Sequence, residues 1–146
     1  MLTKGTFMSV NEAYDRQLTR SGDDDVRVLL VEDDPEVAQM YRLKLELDGY
    51  AVDVASDGMQ ALRMATEDPP DLLFLDIRLP KIDGLGVLEA LREDTRTQNL
   101  PVVILSNYSE RELVERGLRL GALDYLIKSQ TTPARVSGGV VEWLKN

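Results

Sequence analysis

The stretch Leu72-Leu73-Phe74-Leu75-Asp76-Ile77-Arg78-Leu79-Pro80 (LLFLDIRLP) decides how this chain is read. Four large apolar residues in a row leave no polar face. Such a run suits a strand covered on both sides, as in a parallel sheet with helices on each face. The run then ends on an aspartate. A carboxylate at the tip of a buried strand is costly unless it is solvated, paired or bound to a cation. Alone, Asp76 is an ordinary way to start a loop. Its meaning depends on what the other strand ends bring to the same place.

Working outward, residues 26–31 (VRVLLV) read as a first strand. Asp33-Asp34-Pro35-Glu36 follows as a helix start, with a capping acid, proline in the first turn and acids near the positive helix end. Val37, Met40, Tyr41 and Leu45 recur at helical spacing, and Asp48-Gly49 stops that helix. Residues 51–55 form a second strand and 58–67 a second helix, with Ala61, Leu62 and Ala65 inward. After Pro69-Pro70, residues 71–75 give the third strand and 84–93 the third helix, burying Val87, Leu88 and Leu91. A fourth strand spans 101–105, and a helix capped by Ser109 spans 109–118. A fifth strand spans 122–127, and Thr132-Pro133 opens a last helix reaching about Lys145. Gly138-Gly139 inside that helix predicts a weak or broken stretch. Residues 1–25 lack sustained periodicity and read as a flexible extension, with a short helix around residues 10–18. The remainder, 26–146, is one α/β domain of alternating strands and helices.

Bulk composition narrows the chemistry. Hydrophobic residues make up 43% and charged residues 29% of the chain, an ordinary globular balance. The net charge is −9 and no basic run occurs, which argues against nonspecific binding to nucleic acid or an anionic membrane. There are no cysteines, so disulfides, thiolate metal sites and cysteine nucleophiles are excluded. There are no histidines, which removes the commonest general base and any phosphohistidine carried by the chain itself. No stretch is long and apolar enough to span a bilayer and no signal peptide is visible, so a cytoplasmic location is the default.

In an open parallel α/β sheet the working site lies beyond the carboxyl ends of the strands. Strand one ends in Glu32-Asp33, strand three in Asp76, strand four in Ser106 and strand five in Lys128. If strands one and three are neighbours, three carboxylates meet in a shallow pocket. Like charges at that range favour a hard divalent cation, and few carboxylates plus water suit Mg²⁺. A lysine and a hydroxyl beside them suit a group rich in negative oxygens, such as a phosphoryl group. Asp76 then reads as a nucleophile. Each of these residues has an ordinary reading alone; their joint placement at four strand ends carries the chemistry.

From Val26 to Asn146 the sequence resembles a receiver domain of a two-component response regulator. The likeness rests on VLLVEDD (28–34), DLLFLD (71–76) with Leu79-Pro80 and Asp83-Gly84, PVVILS (101–106), and Gly121-Ala122 through Tyr125 to Lys128. It implies a flavodoxin-like (βα)₅ doubly wound parallel sheet of strand order 2-1-3-4-5. It implies that Asp76 accepts a phosphoryl group from a histidine kinase or histidine phosphotransfer protein, with weak self-phosphorylation from small donors and self-dephosphorylation, rather than turnover of an enzyme's kind. Asp33, Asp76 and the backbone carbonyl of Arg78 would hold Mg²⁺ directly, and Glu32 through water. Lys128 would contact the phosphoryl oxygens, while Ser106 and Tyr125 would swing inward as a switch that alters the surface of the fourth helix, fifth strand and fifth helix. A downstream protein target or a phosphorylation-dependent homodimer would read that surface. With only 25 residues outside the domain, the expectation is a single-domain receiver with no direct nucleic-acid or membrane partner.

Three positions depart from the family pattern. Ser129 follows Lys128 where proline in a cis peptide is usual; a cis bond without proline costs about 3–4 kcal/mol, so a trans bond and a different loop path are expected. Asn107 replaces a small residue and is expected to restrict Tyr125. Arg78 places a charge at the pocket rim, able to bias phosphorylation or hydrolysis. Competing readings remain open at this level. A haloacid-dehalogenase-type phosphatase needs a second acid where Arg78 stands. A flavodoxin needs a hydroxyl-rich phosphate loop where Glu32-Asp33-Asp34 stands. A pseudo-receiver would act as an interaction scaffold without phosphorylation.

Overall fold

The computed structural model describes residues 25–145. The extension expected before Val26, with its short helix, lies outside them save for Asp25. Five parallel strands form one sheet in the order β2-β1-β3-β4-β5, as the sequence predicts. They are β1 (Arg27–Val31), β2 (Ala51–Ala55), β3 (Leu72–Leu75), β4 (Val102–Ser106) and β5 (Asp124–Ile127). The helices are α1 (Pro35–Leu47), α2 (Gly58–Glu67), α3 (Gly84–Glu93), α4 (Arg111–Arg119) and α5 (Pro133–Leu144).

The apolar run of β3 is explained by its central place. Its side chains alternate between two cores, Leu72 and Phe74 on one face and Leu73 and Leu75 on the other, all completely buried. The first core adds Ala38, Tyr41 and Leu45 of α1 and Val136, Val140 and Trp143 of α5. The second adds Ala61 and Ala65 of α2 and Val87, Leu88 and Leu91 of α3. Phe74 and Trp143 meet edge to face at 5.7 Å between ring centroids, a geometry aromatic pairs prefer. Burying a Leu or Phe side chain stabilises by about 1.5–3 kcal/mol, so this strand is held firmly and the residue after it inherits a fixed position.

The structure corrects several details. Met40 is 45% exposed, and Ala38 takes the inward place beside Tyr41 and Leu45. α4 starts at Arg111, not Ser109. Its first turn hangs from the Glu110 carbonyl, which accepts from Leu113 N–H and Val114 N–H, and no side chain caps it. β5 starts at Asp124, two residues later than its apolar pattern suggests. α5 is unbroken through Gly138-Gly139. Gly139 is there for space: a Cβ at that position would lie 2.4 Å from Trp143 Cη2.

Candidate functional site

Each acid reaches the site by a separate local device. At the end of β1, Glu32 N–H donates to Ala55 O at 2.9 Å, and at the end of β3, Asp76 N–H donates to Val31 O at 3.1 Å. Hydrogen bonding along the sheet thus continues one residue past the strands and draws both acids to the same edge. Asp34 is occupied elsewhere. Its Oδ1 caps α1 by accepting from Glu36 N–H at 2.9 Å and Val37 N–H at 3.3 Å. Of the acidic triplet, Glu32 and Asp33 are therefore left for the pocket. Below Asp76, Gly84 permits a close approach: a Cβ there would lie 2.0 Å from the Asp76 carbonyl oxygen. Asp83 caps α3 beside it through Gly86 N–H at 2.8 Å.

Glu32, Asp33 and Asp76 can each offer a carboxylate oxygen within 4.8 Å of the others, with Glu32 and Asp76 buried and Asp33 exposed. Oxygen donors alone, one face open to solvent and no nitrogen or sulfur ligand suit a hard cation such as Mg²⁺. The residues present therefore fit the ion the sequence implies. Lys128 closes the cluster from the end of β5. Its Nζ donates to Asp76 Oδ2 at 2.7 Å and to Glu32 Oε1. The lysine side chain is only 13% exposed, and the carboxylates less.

These contacts set the protonation states. Burial raises the Glu32 pKa above its ordinary value, and the bonds from Lys128 and Asp34 N–H only partly offset it. The charge of Asp76 is the weakest contributor, so desolvation rather than crowding of acids dominates there. Burial pulls Lys128 down, but its bonds to Asp76 and Glu32 outweigh this and the net direction is up. Lys128 is thus held as a cation at neutral pH.

Ser106, the last residue of β4, is completely buried, and its Oγ accepts from Tyr108 N–H at 3.2 Å. Tyr125 is half-buried, and its hydroxyl donates to the Tyr108 carbonyl. Arg78 is exposed; its N–H lies 3.4 Å from Asp76 Oδ1, and its guanidinium stacks 4.2 Å from the centroid of the Tyr108 ring. Tyr108 is the residue the sequence reading missed. Its place follows from the register the structure shows: Leu75 pairs with Ile104, and the loops that leave the two neighbouring strands bring Arg78 and Tyr108 together.

Two of the departures prove to be one interaction. No peptide bond is cis among the described residues, so Lys128–Ser129 is trans as expected. The chain turns through a short 3₁₀ segment, Lys128–Gln130, and Ser129 N–H donates to Asn107 Oδ1 at 3.0 Å. A proline has no N–H to give and could not make this bond.

The family model of the response regulator receiver domain matches residues 28–136. The chain is 39% identical over 102 residues to the DNA-binding dual master transcriptional regulator RpaA of Synechocystis, covering 70% of this chain but 42% of that one. Among solved structures, the receiver domain of the Francisella response regulator 1452 superposes with a TM-score of 0.75 at 32% identity, covering 83% of this chain and 98% of that one. The receiver domain of sensor histidine kinase PA1611 from Pseudomonas aeruginosa, which holds a magnesium ion in its active-site cleft, gives a TM-score of 0.76 at 29% identity, covering 84% and 99%. No helix among the described residues is long and apolar enough to cross a membrane.

Proposed function

The chain belongs to the response regulator receiver domain family, and from that premise we propose that Asp76 accepts a phosphoryl group from a phosphohistidine on a histidine kinase or phosphotransfer protein. The observation that carries this is the convergence of Glu32, Asp33, Asp76 and Lys128 at the carboxyl edge of β1, β3 and β5. In the transfer, an Asp76 carboxylate oxygen attacks phosphorus, the P–O bond forms as the P–N bond breaks, and the imidazole nitrogen leaves with the electron pair. Asp33, Asp76 and the Arg78 carbonyl would hold Mg²⁺, with Glu32 acting through water, and the bound ion would neutralise charge on the incoming group.

This chain's own residues do the rest. The buried β3 fixes the nucleophile, and the backbone bond from Asp76 N–H to Val31 O holds the loop that follows it. Lys128, kept protonated, is the fixed cation for phosphoryl oxygens. Ser106 must leave Tyr108 N–H to reach them, and Tyr125 must leave the Tyr108 carbonyl to turn inward. Those movements would reshape the α4-β5-α5 surface, which we take as the protein-binding output. The DNA binding named for the cyanobacterial relative belongs to that protein.

Incubation with Mg²⁺ and a small phosphodonor, followed by intact-mass measurement, tests the reading. A single phosphoryl adduct is expected on wild type and none on Asp76→Asn or in excess EDTA. An unmodified wild-type protein that also fails to bind beryllofluoride would favour the scaffold reading instead.

A further inference from the structure

Tyr108 stands where three contacts meet. Its N–H holds Ser106 Oγ, its carbonyl holds the Tyr125 hydroxyl, and its ring lies under the Arg78 guanidinium. Both residues of the proposed switch are therefore tied to the backbone of Tyr108, and the Arg78 guanidinium lies against the ring of that same residue. The guanidinium itself is not committed to an acid. Asp83 and Glu110 line the same groove, yet among the described residues no carboxylate comes within ion-pair distance of Arg78. In a chain of net charge −9, a cation paired only with a ring is available for a stronger partner.

We propose that Arg78 is a positioning residue that senses the phosphoryl group: its guanidinium leaves the Tyr108 ring for phosphoryl oxygens on Asp76, and this exchange loosens the Tyr108 backbone from Ser106 and Tyr125. The inference rests on the phospho-acceptor reading above. Arg78 begins two residues beyond Asp76, and its backbone N–H already lies 3.4 Å from Asp76 Oδ1. An exposed cation–π contact is weaker than a forked, charge-assisted pair of hydrogen bonds to phosphoryl oxygens, which a planar guanidinium can supply. The exchange therefore runs downhill once the anion is present. In its absence the stack keeps Tyr108, and through it Ser106 and Tyr125, in the arrangement seen here.

Both side chains lie at the surface, so substitution does not threaten the core. Beryllofluoride titrated calorimetrically in Mg²⁺ is the probe. Arg78→Gln should weaken its binding on the order of fivefold, while Tyr108→Leu, which removes the competing partner, should tighten it about two- to threefold. The double variant should follow Arg78→Gln. Weaker binding in both single variants would mean a merely structural pair and would overturn the exchange.

NMR supplies the second readout. The Arg78 Cδ protons should be ring-shifted upfield in the free protein and lose that shift on loading. Uptake that depends on Asp76 but leaves the ring shift in place refutes this inference alone. Absence of uptake by wild type, or uptake unchanged in Asp76→Asn, removes the acceptor reading and this inference with it.

Discussion

Replacing Lys128 with methionine keeps most of the side-chain volume and removes the only cation bonded to Glu32 and Asp76 among the described residues. The consequence follows from burial. The Glu32 and Asp76 side chains are 4% and 8% exposed, too little for water to take over from the ammonium. Breaking one partner out of a buried ion pair costs about 3–5 kcal/mol. Because the site has an open rim at Asp33, the lower end applies, about 3 kcal/mol, or roughly 10 °C in Tm for a domain of this size. Urea denaturation in EDTA at pH 7, followed by the fluorescence of the buried Trp143, measures it.

The pH dependence has a definite sign. The folded pKa of Lys128 lies above its ordinary 10.5, so the ion's contribution is complete below 10.5 and is lost as pH rises through the folded value. The wild type should lose stability there and the variant should not, so the two curves converge in alkali. The raised Glu32 pKa means that the folded state holds this proton more tightly than the unfolded chain does. Protonating Glu32 removes one orphan charge from the variant, and its deficit should shrink in acid. A variant within 0.5 kcal/mol of wild type at pH 7 would show that these carboxylates do not depend on Lys128.

Three further outcomes are expected. Gly138→Ala, in open space on α5, should stabilise by about 0.5–1 kcal/mol, whereas Gly139→Ala should destabilise because its methyl meets Trp143; paired thermal melts separate them. Asp94 should titrate at about 2 by carboxyl NMR, held down first by its hydrogen bonds with Arg96, and Arg96→Gln should return it toward 3.8; its stabilising contribution is present above 3.8 and lost as pH falls through about 2. Ser129→Pro and Asn107→Ala each remove the bond between the β4–α4 and β5–α5 loops and should each cost about 1 kcal/mol, with the double variant costing no more than one of them in a mutant cycle.

Strands and most helices were readable because burial on both faces of a parallel sheet writes itself as apolar runs between turn formers; α2 and α3 span the residues expected, Gly58–Glu67 and Gly84–Glu93. What escaped was set by tertiary contact. Ser109 looks like a cap, but the backbone at Tyr108 is already committed to Ser106 and Tyr125, and the helix begins later. Gly139 looks like a helix breaker until the Trp143 ring is seen against it. At the site, Glu32, Asp33, Asp76, Ser106 and Lys128 follow from strand ends, because topology alone gathers them. Tyr108 does not, since a loop tyrosine has no periodicity to mark it. Likewise, Asn107 and Ser129 read as two separate departures, and only their spatial pairing turns them into one bond.

The most direct test of Asp76 as acceptor is to locate the phosphoryl group chemically. After phosphorylation in Mg²⁺, borohydride reduces an acyl phosphate to the alcohol, converting the modified aspartate to homoserine before peptide mass spectrometry. Homoserine at position 76 alone is the predicted result. Homoserine at Asp33 or another aspartate, a reduced glutamate in place of it, or an unreduced peptide from protein that carries the adduct, would contradict it.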